Sequence, residues 1–180
     1  PVEQNYSLAE RPGWLRLKGS AASLNDLASP TFVGRSQDDL FCRIATRLSF
    51  QPKQTNEEAG LVLRGNEGNH CEIVVTLRDG KRVVGLRRTL DGLFVESVQF
   101  RVVPVGEIIL GIHAAPLNYE FFWSGTDGLE HPLGTVPTRA LSTETLTAQK
   151  GAHFNFTGVF AGLFATGNGT ANSVPADFDW

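Results

Sequence analysis

Residues 155–170 read NFTGVFAGLFATGNGT and residues 175–180 read PADFDW, and these two pieces decide the fold. Small and aromatic residues are dense in the first piece, and glycines follow them. This composition is expected where a strand crosses a core, meets a crowded surface and leaves through a glycine turn. We therefore predict a final strand within a β-rich core, with the rest of the chain arranged around it.

Antiparallel strands are also predicted upstream of this region. Residues 41–50 alternate between apolar and polar side chains, as a strand with one buried face does. Asp-Gly pairs at 79–80 and 91–92 supply the residues that tight hairpin turns need at positive φ, so residues 71–103 are predicted to form a three-stranded meander. Further strands are predicted at 14–19, 59–64, 107–114 and 118–124.

Loop signals fill residues 20–38 and 124–138. A short helix is predicted only near residues 141–147, where Ser142 or Thr143 could cap its start. Short strands separated by turn signals roughly every 8–12 residues are typical of an all-β sandwich or barrel.

Composition limits the classes of partner. The 180 residues suit one domain, and a net charge of −3 with scattered basic residues predicts no nucleic acid partner. The apolar runs fall far short of the roughly 20 residues that a membrane span needs, so no membrane partner is expected. Pro1 comes first and the sequence has no methionine. We therefore expect a piece of a longer chain, cytoplasmic or secreted according to its parent.

The two cysteines, Cys42 and Cys71, both lie on predicted strands. They could be neighbours and form a disulfide, or they could be free, buried thiols that act as small apolar residues. The sequence favours free thiols and leaves the redox compartment open.

Residues 156–163 and 175–180 together resemble the C-terminal β-sandwich domain of glycoside hydrolase family 43 β-xylosidases and α-L-arabinofuranosidases. Further pieces agree in the same order, namely residues 15–17, 32–37, Phe50 and 58–62. The resemblance covers about residues 13–180 and leaves residues 1–12 as a linker or N-terminal extension. It implies an all-β, two-sheet antiparallel jelly-roll sandwich of the concanavalin A-like type. In the family this module follows a five-bladed β-propeller that holds the catalytic carboxylates, and that propeller is absent from this chain.

Glycoside hydrolysis needs two carboxyl groups at a set separation. Four candidates, Asp38, Asp39, Glu57 and Glu58, lie in polar stretches typical of solvated charges. No strand carries the Glu-x-Asp-x-x-Glu pattern that sandwich-fold glycosidases use. We therefore assign no catalytic residue to this chain, although its parent is expected to be a glycoside hydrolase.

Asp177 and Asp179 are two residues apart and project to the same face of an extended segment. Paired carboxylates can hold calcium, which takes oxygen ligands. The alternative is that they bond backbone amides or arginine side chains while Phe178 is buried. The four histidines show no metal-ligand spacing, so calcium is the one cofactor that the sequence suggests.

Sugar binding uses aromatic faces together with polar side chains that bond hydroxyl groups. Tyr119 and Trp123 lie four residues apart on one face of their strand, and we predict an exposed platform from this pair. Phe32 could add a further ring, with Arg35 and Gln37 of the same motif bonding hydroxyls. The alternative is that the aromatic side chains belong to the core.

The resemblance implies a second role for the final region. In the family, a loop carrying an aromatic residue closes the rim of the active-site pocket of the propeller. The matching positions here are residues 155–158, with Phe156 and Thr157 as the rim residues. Three functions compete: a module that binds xylan or xylo- and arabino-oligosaccharides, a structural domain that completes the pocket, and a stand-alone glycoside hydrolase.

Replacing Phe156 by Ala in the full-length enzyme is expected to weaken substrate binding, because the rim loses its aromatic contact. Steady-state kinetics on an aryl glycoside would show the effect as a higher KM. Unchanged kinetics would remove the assignment of Phe156 to the rim.

Overall fold

The computed structural model describes residues 2–96, 99–148 and 158–179. In these residues the chain forms two antiparallel sheets of seven strands each. The strands are β1 (Tyr6–Ser7), β2 (Leu15–Leu17), β3 (Thr31–Ser36), β4 (Cys42–Ser49), β5 (Glu58–Asn66), β6 (Asn69–Arg78), β7 (Lys81–Leu90), β8 (Leu93–Glu96), β9 (Arg101–Val102), β10 (Glu107–Ala114), β11 (Asn118–Ser124), β12 (His131–Pro137), β13 (Phe160–Thr166) and β14 (Ala176–Asp179).

Sheet A has the strand order β1-β2-β14-β4-β10-β11-β12. Sheet B has the order β3-β13-β5-β6-β7-β8, and β9 pairs with β7 beside β8. The prediction of a two-sheet antiparallel sandwich of the concanavalin A-like type is confirmed. None of the helices described is long and apolar enough to cross a membrane.

The core lies between the two sheets and follows the alternation along each strand. Leu61 and Leu163 point inward from sheet B, and Leu48 and Ile112 point inward from sheet A, all with almost no exposed surface. Phe178 of β14 is fully buried among them, as the sequence predicted for its segment. The final strands therefore do lie within the core.

Both predicted hairpin turns are confirmed. Asp79 and Asp91 have φ of 50° and 54°, and the glycine after each also has positive φ, as tight turns between twisted strands require. The predicted short helix is α1 (Thr143–Ala148), which follows a 3₁₀ turn at Thr138–Leu141. Ser142 caps it, since its Oγ accepts a hydrogen bond from the backbone N–H of Thr145 at 3.3 Å.

Two strands lie where the sequence predicted loops. β3 falls within residues 20–38 and β12 within residues 124–138. Each is an outermost strand that pairs on one side only, β3 with β13 and β12 with β11. β12 contains Pro132 and Pro137, which an edge strand tolerates because one row of its N–H groups has no ladder partner.

The N-terminal residues, expected as a linker or extension, contribute to sheet A. β1 pairs with β2, and β2 pairs with β14. The guanidinium of Arg11 bonds Asp177 at 3.0 Å and Glu107 at 3.2 Å. Residues before position 13 are therefore tied to the sandwich through both backbone and side-chain bonds.

A buried ionic cluster lies on the outer face of sheet B. Arg87 donates from Nη1 and Nη2 to the two carboxylate oxygens of Glu58, at 2.9 and 2.6 Å. Its Nε also donates to Glu72 at 2.8 Å. Burial is the largest single influence and works to raise the pKa of Glu72, but the charge and hydrogen bonds of Arg87 together with the contact of His70 outweigh it, and the pKa lies below its usual value. The cluster joins β5, β6 and β7.

Replacing Arg87 by Met is expected to lower the free energy of unfolding by about 3–5 kcal/mol, because two buried carboxylates lose their counter-charge. Urea unfolding at pH 7 measures the change. The control is Arg101→Met on the exposed strand β9, for which a change within about 0.5 kcal/mol is expected. An Arg87 variant as stable as this control would contradict the role of the cluster.

The same cluster predicts how stability depends on pH. Since Glu72 has a lower pKa folded than unfolded, its contribution is complete above the usual value of 4.5. The contribution is lost as the pH falls through the folded pKa.

Candidate functional site

A cleft of about 510 Å³ opens between the sheets, where β3 and β13 lie opposite β4. Its floor is apolar and its rim is polar, as small-molecule and docking sites commonly are. The floor is formed by Val33, Ile44, Leu61, Ala161 and Leu163, and the rim by Arg35, Gln37, Asp38, Asp39 and Arg43. We call the end of the sandwich where β4 begins and β10 ends the cleft end.

Gln37 fixes the rim of the cleft. Its backbone N–H donates to the carbonyl of Val159 at 2.9 Å, and its side-chain Nε2 donates to the carbonyl of Asp39 at 2.9 Å. Its Oε1 accepts a hydrogen bond from the hydroxyl of Tyr119 at 3.0 Å. With these three bonds, Gln37 joins the start of β13, the β3–β4 loop and β11.

The charged groups at the rim are exposed. Arg35 lies 3.4 Å from Asp38, in a solvated ion pair of the kind that contributes little to stability. Burial raises the pKa of the Cys42 thiol, and Asp39 raises it further. A thiol with a raised pKa is a weaker nucleophile at neutral pH. Cys42 and Cys71 are both free thiols.

The structure brings together two of the predicted sugar-binding residues, Arg35 and Gln37, at the rim. Phe32 lies on the other face of β3, half-buried against an outer apolar cluster that includes Phe164. Phe156 and Thr157 lie outside the described residues, and their role stays a prediction. Arg43 also lines the cleft, but its guanidinium pairs with Glu130 at 3.2 Å on the outer face of sheet A, which is the face that the alternation of β4 predicts.

The predicted platform of Tyr119 and Trp123 is wrong as an exposed pair. The two side chains do share a face of β11, but that face is the inner one. Tyr119 is only 4% exposed and belongs to the core. Trp123 packs against the same core, and the ring of His131 stacks on it with centroids 4.6 Å apart. The spacing of four residues correctly predicted that Tyr119 and Trp123 share a face of the strand. It could not show whether that face packs against the partner sheet or faces solvent.

The buried carboxylates of the described residues already have structural partners. Glu57 accepts hydrogen bonds from the backbone of Lys53 and from Ser173, each at 2.7 Å. Glu58 and Glu72 share Arg87 as their counter-charge, and the pKa of Glu72 lies below its usual value. A general acid for glycoside hydrolysis needs a raised pKa instead. These groups hold the fold together and do not form an acid and base pair.

Asp177 and Asp179 also have arginine partners. Asp177 accepts bonds from Arg16 at 2.6 Å and from Arg11 at 3.0 Å, while Asp179 lies 3.4 Å from Arg47. Burial works to raise the pKa of Asp177, but the hydrogen bonds from Arg16 and Arg11 hold it below its usual value. The described residues contain no cluster of three metal-ligating side chains. Calcium binding stays a prediction, and the arginine pairing competes with it.

The fold and the cleft define a concanavalin A-like sandwich without an acid and base pair among its described carboxylates. A family model described as the β-xylosidase C-terminal concanavalin A-like domain matches residues 1–180. The chain belongs to this family.

Curated relatives and solved structures agree with this assignment. The chain is 41% identical over 180 residues to a non-reducing end α-L-arabinofuranosidase of Bacteroides ovatus, covering 100% of this chain and 32% of the relative. It is 28% identical over 179 residues to a putative β-xylosidase of Escherichia coli, covering 97% and 32%. It therefore spans about a third of the length of these relatives.

The similarity extends to three dimensions. A solved structure of Bacteroides ovatus xyloglucan PUL GH43B superimposes with a TM-score of 0.91 at 41% identity, covering 100% of this chain and 34% of the other. The xylan β-1,4-xylosidase from Bacillus halodurans gives a TM-score of 0.87 at 27% identity, covering 97% and 33%.

Replacing Asp177 by Asn is expected to lower the free energy of unfolding by about 1.5–3 kcal/mol, because charge-assisted bonds to two arginines weaken. Urea unfolding measures this change. Adding a chelator to the unmodified protein is expected to leave its melting temperature unchanged, since arginines already neutralise the carboxylate. A fall in the melting temperature on chelation would instead support calcium at Asp177 and Asp179.

Proposed function

We propose that this chain is the non-catalytic sandwich domain of a family 43 glycosidase, where it supports the catalytic β-propeller and completes the rim of its active-site pocket. The main support for this proposal is how much of the relatives' length the chain matches. The whole chain aligns to only about a third of glycosidases such as the α-L-arabinofuranosidase of Bacteroides ovatus. The remaining two thirds of such a polypeptide are then available to hold the catalytic carboxylates.

The chemistry of the described residues supports an accessory role. Glu57, Glu58, Glu72 and Asp177 are engaged in structural bonds, and the cleft rim offers only exposed, solvated charges. Arg35 and Gln37 at the rim can bond hydroxyl groups, as a residue beside a sugar pocket would. Gln37 is held by three hydrogen bonds, so it is suited to a boundary that must keep its shape.

The geometry favours the pocket-completing role over independent glycan binding. Stacking on sugar needs exposed aromatic faces, and neither Tyr119 nor Trp123 provides one. The substrate of the parent is proposed to be xylan, or xylo- or arabino-oligosaccharides, because the relatives are named as xylosidases and arabinofuranosidases. In this proposal the sandwich meets that substrate only where it borders the propeller.

Deleting residues 1–180 from the full-length polypeptide is expected to lower kcat/KM for an aryl xyloside or arabinofuranoside by about 100-fold, because the pocket loses part of its positioning wall. The isolated chain is expected to show no hydrolysis and no retention on insoluble xylan, with circular dichroism as the control for folding. Retention by a folded isolated chain would support a binding module instead. Hydrolysis by it would support a stand-alone enzyme, and full activity after deletion would refute the proposed role.

A further inference from the structure

Three large apolar side chains are exposed together at the cleft end. Leu40 is 70% exposed, Phe41 is 73% exposed and Leu117 is 78% exposed. Cys42 pairs with Ala114 in the adjacent strands β4 and β10. The residue before Cys42 and the turn after Ala114 therefore lie side by side. We call Leu40, Phe41 and Leu117 the apolar patch. Single exposed apolar residues need no explanation, but a group of them marks an interaction surface.

Hydrogen bonds hold both loops of the apolar patch in place. Gln37 bonds the carbonyl of Asp39, immediately before Leu40, and is itself held by Tyr119. On the other side, Thr138 donates its hydroxyl to the carbonyl of Pro116 at 2.7 Å and its N–H to the carbonyl of Leu117 at 3.0 Å. Loops that are fixed in advance lose little conformational entropy on binding. The two loops of the apolar patch are therefore preorganised for binding.

Charged groups border the apolar patch. Arg35, Asp38 and Asp39 lie on the same β3–β4 side, and Arg43 follows on β4. An apolar centre with a polar rim of both signs is the usual anatomy of a protein interface. Interfaces between domains of one chain are typically of this mixed character.

We propose that the apolar patch seats against the catalytic domain of the same polypeptide. This proposal rests on the proposed function, since it requires that domain to be present. The chain spans about a third of its relatives, so the missing two thirds form a covalently attached body about twice its size. A tethered partner has a high effective concentration, so even a small patch can be occupied.

Cysteine labelling in the full-length polypeptide tests the proposal directly. Leu117→Cys places a thiol in the apolar patch, and Leu27→Cys is the matched control at a leucine that is 90% exposed on the loop before β3. Under native conditions a maleimide is expected to modify position 117 at least about tenfold more slowly than position 27, because the docked domain restricts access. Peptide mass spectrometry separates both positions from Cys42 and Cys71, and labelling in denaturant sets the unprotected rates.

Equal labelling rates at positions 117 and 27 would overturn the proposal. Protection that disappears on dilution, together with a falling mass by light scattering, would assign the apolar patch to a second copy of the chain and also overturn it. Protection that persists at all concentrations supports the catalytic domain as the partner.

A charge substitution gives an independent measurement. Phe41→Asp combined with Leu117→Asp in the full-length polypeptide is expected to lower kcat/KM towards the value of the deletion, whereas Leu27→Asp leaves it unchanged. Both substituted side chains are largely exposed in the sandwich itself, so its own folding is little affected. Activity equal to that of Leu27→Asp would count against the proposal.

The two proposals fail in distinguishable ways. If deletion of residues 1–180 lowers activity while position 117 is labelled rapidly, only the assignment of the apolar patch fails. If deletion leaves activity intact, the proposed function fails whatever the labelling shows.

Discussion

The centre of sheet B, formed by β5, β6 and β7, is buried on both faces, and this constraint shapes the rest of the molecule. Leu61 and Ile73 pack inward, while Val62 and Val74 are equally buried on the outer face. Leu24, from the loop before β3, contributes to the cluster that covers them. Glu58, Glu72 and Arg87 have little contact with water on that outer face, so Arg87 pairs with both carboxylates. The covered part of this outer face offers no surface to a ligand, whereas the cleft between the sheets is open.

Much of the fold could be predicted, because the turn residues and the alternation of apolar and polar side chains favour the same strands that the tertiary structure contains. The Asp-Gly turns need positive φ wherever they occur, and the alternation in β4 survives because one of its faces is buried. β3 and β12 were missed because edge strands accept glycine and proline. Whether Tyr119 points inward could not be predicted, since a strand has two faces and only the partner sheet distinguishes them.

The candidate site depended more on resemblance than on pattern. The segment 32–37 carried the family motif, and the structure places two of its residues, Arg35 and Gln37, at the cleft while Phe32 faces away. The alternation of side chains across β3 explains this division. The apolar patch could not be predicted from alternation of apolar and polar residues, because Leu40 and Phe41 lie in a loop and Leu117 lies in a turn. Only the pairing of Cys42 with Ala114 shows that they are neighbours.

The strand order of sheet A also determines when the domain can form. Among the strands of the described residues, the hairpin of β1 and β2 joins the sheet through β14, which is made of residues 176–179. During synthesis, β1 and β2 can therefore pair with a strand outside their own hairpin only after residues 176–179 have been made. Such non-local pairing slows folding and leaves the early strands open to wrong partners. In a polypeptide where a larger domain emerges first, that domain is in place before the sandwich can close.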